Sequence, residues 1–290
     1  LQANKIAAHA DFVPFADLFP YRGFARKIFD GAQANAPTFH GTLVNADYAK
    51  QYPEIVVAYL RAAIEADRLF AAEPEKYSEL VAKVTGIEAE VQYLFHGPLG
   101  LQTRDLSWKP EYRQALATAI DTLRFLKKHD SDLTADTFID DQYIRAAYKQ
   151  AGLDYDTELK KYAQLALEPK TKDALTGKPI TDVTRLAQVW VEGEPLVRHY
   201  ASPENAFKDT NKLEPAGKKI RVVYAQDRSL GIKLLANQGW FAIDGKGQVN
   251  AFLLKDAADK WARKIHEAFS KPDSSGMVDR GNGRSAYGGI

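Results

Sequence analysis

Six residues, Asp173-Ala-Leu-Thr-Gly-Lys178, have the spacing of a metal–thiolate loop, C-x-x-C-G-M, with every sulfur replaced. Cysteine and methionine at those places would hold a soft cation such as Cu(I). Asp173, Thr176 and Lys178 offer a carboxylate, a hydroxyl and an ammonium, hard groups of which the last repels cations. We expect no metal here, and we assign Gly177 to a tight turn. His199 and His266 are isolated nitrogen donors, and the sole methionine is Met277. A second group lies in FHGPLGLQTRDLSW, residues 95–108, where His96, Arg104, Asp105 and Trp108 share a glycine-rich loop. Those types could perform acid–base hydrolysis; equally, Arg104 and Asp105 are solvated and Trp108 anchors the following helix. Asp140 and Asp141 are neighbours, so they point to different sides of a helix and make no paired-carboxylate site by themselves. In YRGFARK, Arg22 and Arg26 are placed on one helix face, with Lys27 beside them, a pattern that suits a solvated surface. No catalytic residue, metal ligand or cofactor is assigned.

The elements that must position these residues fall into two styles. From Asn45 to Asp156 the period is helical. PEIVVAYLRAAIEADRLFA aligns Ile55, Ala58, Tyr59, Ala62, Ala63, Ala66 and Leu69 in one stripe, with Pro53 in the first turn. PEKYSELVAKVTG ends on Gly86, KPEYRQALATAIDTLRFLKK repeats the scheme, and TADTFIDDQYIRAAYKQAG ends on Gly152. Ahead of them, IAAHADFVPF and FHGTLVN read as short strands around a helical RGFARKIFD, so the first region is expected to be α/β. After about Leu167 a polar, proline-bounded linker, EPKTKDALTGKP, leads to a period near two. RLAQVWVEG, PLVRHY, KKIRVVYAQD, QGWFAID and GQVNAFLL are strand candidates, the last two joined by the hairpin signal GKG. AFKD reads as a turn. KDAADKWARKIHEAF closes the region as an amphipathic helix with Ala258, Trp261, Ala262 and Ile265 inward, and 271–290 is a glycine- and serine-rich tail.

Composition bounds what these elements can serve. The chain has 290 residues, 45% hydrophobic and 27% charged, enough for two cores. Its 39 basic and 38 acidic residues give no field to hold nucleic acid. It has no cysteine, which excludes disulfides, thiolate catalysis and sulfur-built metal sites. No apolar run approaches the roughly 18 residues of a membrane span. The opening, LQANKIAAHADFVPF, reads as the middle of an element, as in a processed product or a fragment.

That opening, with RGFARKIFDG, TLVNADYAKQYPEIVVAYLRAAIEA and DDQYIRAAYKQAGL, resembles the carboxy-terminal part of periplasmic substrate-binding proteins of the nitrate/sulfonate/taurine ABC transporter class, over about residues 1–156. The resemblance implies a partial type II periplasmic-binding-protein lobe, a small anion or zwitterion as ligand, an ABC permease as partner and a periplasmic location. The family's first lobe has no counterpart in these residues, so a missing N-terminal half, on a longer precursor or a second chain, is expected to complete the cleft, and binding by this chain alone is expected to be weak. Positions matching the family's cleft are His9, Asp11, Phe12 and Phe15 at the end of one strand and Phe39 and His40 at the end of another. There histidines and amides would hold an acidic group while aromatic faces pack on its carbon part. Those same rings could instead be core.

Residues 173–269 resemble the copper-binding accessory lipoprotein of nitrous-oxide reductase, the NosL-like family, through DALTGK, DVTRLAQVWVEGE, AFKD, the strand pair ending in AFLL, and KDAADKWARKIH. Only Gly177 of that family's metal loop is kept, so the resemblance implies the fold without the copper. Together these readings give an α/β lobe over 1–168, a small α+β domain over 169–270 and a tail over 271–290. The expected function is solute binding for uptake, with no enzymatic activity. A metal-handling accessory protein, a structural interaction protein reusing both folds, and a hydrolase built on the His96 loop are the rival readings.

Overall fold

The structure, a computed structural model, describes residues 1–11, 14–34, 40–102, 106–129, 131–162, 167, 170–244, 247–269 and 277–280. In chain order the helices are α1 (Phe15–Tyr21), α2 (Ala46–Gln51), α3 (Pro53–Ala72), α4 (Pro74–Thr85), α5 (Ala89–His96), α6 (Pro110–Phe125), α7 (Ala135–Phe138), α8 (Gln142–Gln150), α9 (Tyr155–Tyr162), α10 (Pro203–Leu213) and α11 (Lys255–Phe269). The strands are β1 (Ala187–Val191), β2 (Arg198–Tyr200), β3 (Ile220–Gln226), β4 (Lys233–Leu235), β5 (Trp240–Ile243), β6 (Val249–Phe252) and β7 (Met277–Arg280). The chain mixes helices with small antiparallel sheets. None of the described helices is long and apolar enough to cross a membrane.

Contacts divide the chain into two units that do not follow the linear division at residue 168. The first gathers Leu1–Asp30, Glu73–Thr103 and Ala166–Ile290; the second, Gly31–Ala72 and Arg104–Leu165. The physical reason is the four-stranded sheet of the first unit, ordered β2-β1-β3-β4. One face carries Trp190, Val222, Tyr224, Val197 and Leu235, and this face is buried by Leu18 of α1 and by Ala89, Val91, Tyr93, Leu94 and Phe95 of α5. An apolar sheet face of that size must be covered, and α1 and α5 supply the cover.

The second sheet of this unit is ordered β6-β5-β7. α11 packs on it with Ala258 and Ala262 buried and Trp261 half-buried, as its period predicts; the Ile265 side chain lies outside the described residues. β5 and β6 form the expected hairpin, Trp240 opposite Phe252. β7 arises from residues read as tail: Met277–Arg280 pairs with the other edge of β5, Met277 opposite Ile243, satisfying backbone groups that the edge would otherwise leave open. AFKD is not a turn but part of α10, which starts at Pro203 with the Ser202 hydroxyl accepting from the Asn205 N–H at 3.4 Å.

The expected strands around RGFARKIFD are absent among the described residues. Residues 6–10 and 40–45 form no ladder, and the described elements before residue 163 are helical. The mixed α/β character expected of residues 1–168 is therefore replaced by helices: a strand needs a partner for its backbone groups, and among the described residues neither 6–10 nor 40–45 has one. RGFARKIFD itself is irregular, because α1 stops at Tyr21 and Gly23 turns the chain at φ +82°. Arg22 and Arg26 consequently share no helix face. Arg22 forks onto Glu88 at 2.8 and 3.1 Å, Arg26 lies over the Trp240 ring, and Lys27 is half-buried between Asp17 and Asp30 at 2.9 and 2.7 Å.

The second unit is built on α3 and α8, which bury Val57, Ile64, Ile144, Ala147 and Tyr148 together with Tyr155 of α9. Here the sequence stripe points the other way. Val56, Val57, Ile64 and Phe70 are the buried residues of α3, while Ile55, Ala58, Tyr59, Ala62, Ala66 and Leu69 are exposed. α3 has two apolar faces, and periodicity alone does not say which one meets the core.

Candidate functional site

The second unit holds a cavity of about 320 Å³. Its floor is Val56 of α3, Ile144 of α8 and Ser107, all buried; Leu60, Leu106, Trp108, Tyr112 and Tyr143 form half-buried walls; His40, Gly41, Thr42, Val44 and Asp140 stand exposed at the rim. Trp108 is fixed by its backbone N–H, which donates to the Tyr155 hydroxyl at 2.7 Å. Asp140 is set by Gln142, whose backbone and side-chain N–H groups donate to it at 3.2 and 2.7 Å. Asp141 turns away and accepts from Arg145 Nε at 3.0 Å. Chemically this is a recess with an apolar and aromatic body and polar groups at its mouth, the form of a small-molecule site.

Of the six residues matched to a ligand cleft, His40 lines this cavity. His9, Asp11 and Phe15 belong to the first unit. His9 and Asp11 meet each other, Nε2 to Oδ2 at 2.8 Å, and Phe15 opens α1 with its ring 5.8 Å from that of Phe19. Phe12 and Phe39 lie outside the described residues, as do Arg104 and Asp105 of the 95–108 loop. His96 ends α5 in the first unit, whereas Trp108 is part of the cavity in the second.

The first unit contains a buried polar strip that the sequence did not announce. On one face of its sheet, His199 (β2) lies opposite Gln188 (β1), Gln188 opposite Tyr224 (β3), and Gln226 (β3) opposite Lys233 (β4). Gln188 Nε2 donates to His199 Nε2 at 3.0 Å and to the Tyr93 hydroxyl at 3.3 Å. Lys233 is 2% exposed, and its Nζ lies 4.6 Å from the centre of the Tyr93 ring and 5.4 Å from that of Tyr224. Among the described residues Lys233 Nζ, Gln188 Oε1 and Ser78 Oγ have no hydrogen-bond partner. Burial pushes the Lys233 ammonium down to about 7, with Glu75 opposing the fall. Burial, and then Lys233, pushes His199 down to about 4, so this imidazole is neutral at physiological pH. The strip can hold or release a proton near neutrality, but it is enclosed by α4 and α5. Arg221 closes one end, bonded to Glu90 at 2.7 Å and Glu79 at 2.6 Å and lying over Trp190 at 4.2 Å. Lysine in a strand reads as surface, which is why Lys233 gave no signal.

The Asp173–Lys178 loop is a backbone device. Asp173 is fully buried and accepts four hydrogen bonds: from the N–H groups of Leu175 (3.0 Å), Thr176 (2.8 Å) and Ala201 (2.7 Å) and from Asn205 Nδ2 (2.9 Å). Burial works to raise its carboxyl, but these donors outweigh burial and hold it below the ordinary value. Gly177 sits at φ +71°, with its N–H on the Asp173 carbonyl at 2.8 Å, the turn role expected of it. Asp227 repeats the device: Oδ1 accepts from Ser229 and Leu230, and Oδ2 from the Leu253 N–H at 2.5 Å. Among the described residues no three His, Asp or Glu side chains converge as a metal site requires.

No protein-family model and no curated protein sequence matches the chain. Among solved structures, the chain is similar to the copper chaperone NosL from Shewanella denitrificans, at 18% identity and a TM-score of 0.32, over 40% of this chain and 90% of that one.

Proposed function

We propose that the chain is a solute-binding protein without catalytic activity and that its ligand is a small organic zwitterion held in the cavity of the second unit. The observation that carries this reading is the composition of the cavity: an aliphatic floor, walls of Trp108, Tyr112 and Tyr143, and a mouth with both a carboxylate, Asp140, and an imidazole, His40. A cavity of about 320 Å³ far exceeds what nitrate fills, and Asp140 repels a simple anion. A molecule with an ammonium, a short carbon body and a sulfonate or carboxylate places its cation at Asp140, its carbons on the rings and its acidic end toward His40. The finer assignment, the binding component of an ABC-type uptake system of the nitrate, sulfonate and taurine class that delivers its solute to a permease in the periplasm, rests on the resemblance of residues 1–156.

Isothermal titration calorimetry of the chain with taurine and with nitrate tests the reading. Because the mouth is exposed, water competes for the charges and binding is expected to be weak. Taurine should nevertheless bind more tightly than nitrate; Trp108→Ala should weaken it, and Asp140→Asn should weaken taurine without weakening nitrate. Equal affinities for the two, or taurine binding indifferent to both substitutions, would overturn the proposal.

A further inference from the structure

The exposed stripe of α3 is symmetric about Ala62. Ile55 and Leu69 lie seven residues to either side (62 − 55 and 69 − 62), and Ala58 and Ala66 lie four (62 − 58 and 66 − 62). At 3.6 residues per turn these five positions fall on one face, within about 40° of the line through Ala62. All five are exposed; Ile55 is 48% exposed, and Tyr59 beside them 58%. The charged residues Glu54, Arg61, Glu65 and Arg68 run along a single edge of this face.

We propose that α3 pairs with α3 of a second copy of this chain, antiparallel, across a two-fold axis at Ala62. In that arrangement position n lies opposite position 124 − n, because the positions of facing residues sum to twice 62. Ile55 then meets the partner's Leu69, Ala58 meets the partner's Ala66, and Ala62 meets itself, small enough for close helix packing. A two-fold axis between antiparallel helices brings the same edge of each copy together. Glu54 lands opposite position 70, beside the partner's Arg68, and Arg61 opposite position 63, where the partner's Glu65 lies nearer the seam than the partner's Arg61 at the same axial offset. Both pairs are of opposite charge and both occur twice. A parallel two-fold pairing would instead bring this charged edge against the partner's opposite edge, where Tyr59, Ala63 and Ala66 offer no charge. The present partners of these side chains are long, exposed contacts that pairing can replace: Arg68 to Glu65 at 3.4 Å and Arg61 to Gln150 at 3.4 Å. A helix of 20 residues, about 30 Å long, gives an interface at the small end of specific contacts, so the dimer should be concentration-dependent.

The chain has no cysteine, so Ala62→Cys introduces its only thiol on the proposed axis. Mild oxidation should convert this variant to a disulfide-linked dimer, and Gln114→Cys, exposed on α6, should stay monomeric. Sedimentation velocity of the unmodified chain should show a dimer that Ala62→Glu abolishes with an unchanged circular-dichroism melt. Arg68→Glu should also give a monomer, and adding Glu54→Arg should restore the dimer. A chain that stays monomeric at high micromolar concentration, a dimer that survives Ala62→Glu, or cross-linking of Ala62→Cys no faster than of Gln114→Cys would each overturn the proposal.

Discussion

Replacing Lys233 by methionine should stabilise the first unit, although it removes one of the largest fully buried side chains in the molecule. Methionine keeps the length and the unbranched shape of the chain and discards the amine. In the unfolded chain a lysine titrates near its ordinary value of 10.5; here it does so at about 7. Below about 7 both states hold the proton and the penalty for burying it is complete. Between about 7 and 10.5 the unfolded state holds more protons, so stability rises with pH; above that window the penalty is gone. At roughly 1.4 kcal/mol per pH unit separating the two values, the native state at pH 7 carries a penalty of about 4 kcal/mol, of which about 3 kcal/mol is relieved by pH 9.5. The burial-raised phenols of Tyr93 and Tyr224 work in the opposite direction as pH rises past their ordinary value of 10, which sets the upper limit of the useful range. Urea denaturation of the unmodified chain and of Lys233→Met, at half-unit steps from pH 6.5 to 9.5, measures this directly. The unmodified chain should gain stability across the range. The variant should start higher and stay nearly flat, the two curves approaching each other at the alkaline end. A variant less stable than its parent at pH 7, or a parent whose stability is level from pH 7 to 9.5, would refute the account of Lys233 as an uncompensated buried amine.

Two further outcomes follow from the same unit. His199 is held at about 4 against an ordinary 6.5, so its neutral form contributes stability that is complete above 6.5 and is lost as pH falls toward 4, about 3 kcal/mol in all; His199→Gln should flatten that acid limb in a denaturation series. Asp173→Ala leaves four donors without their acceptor and should cost about 3 kcal/mol, seen as a lower thermal midpoint, whereas Cu(I) under reducing conditions should leave the midpoint of the unmodified chain where it is.

Much of the first unit's sheet was legible because its strands are short runs of Val, Trp, Tyr and Phe between turn residues. β1, β2, β3, β5 and β6 fall within the expected segments, and Val189, Trp190, Val191, Phe241 and Phe252 are buried as a core should be. Gly86 and Gly152 end their helices at φ +72° and +71°, where a side chain would be strained. What was not legible is what depends on distant partners. β4 begins with a lysine, which its ladder with β3 makes a strand position and which the Tyr93 and Tyr224 rings flank. β7 depends on the free edge of β5. The inward face of α3 was decided by α8 rather than by its own period, because both of its faces are apolar. Ligand-cleft positions inferred by matching to a strand-built lobe had no strands to stand on among the described residues. The cavity that is present draws Trp108, Asp140 and His40 from three separate connections, a convergence no local pattern encodes.

The interleaving of the first unit's segments bears on how the chain is made. The Tyr224 hydroxyl bonds to the carbonyl of Glu90, 134 residues earlier, and Arg221 reaches back 131 residues to the same residue. At synthesis rates of about 5 to 20 residues per second, α5 leaves the ribosome roughly 7 to 27 seconds before the strand that covers it exists. For that interval Val91, Tyr93, Leu94 and Phe95, none of them more than 3% exposed in the finished protein, lack the sheet face that buries them and have only α1 and α4 as native neighbours. The second unit, whose segments close by residue 165, can complete itself in that time. The nascent chain is therefore expected to carry a finished helical unit and an α5 whose sheet-facing side is uncovered, and it is at this stage of synthesis, more than in the mature protein, that it should call on chaperones that bind exposed apolar segments.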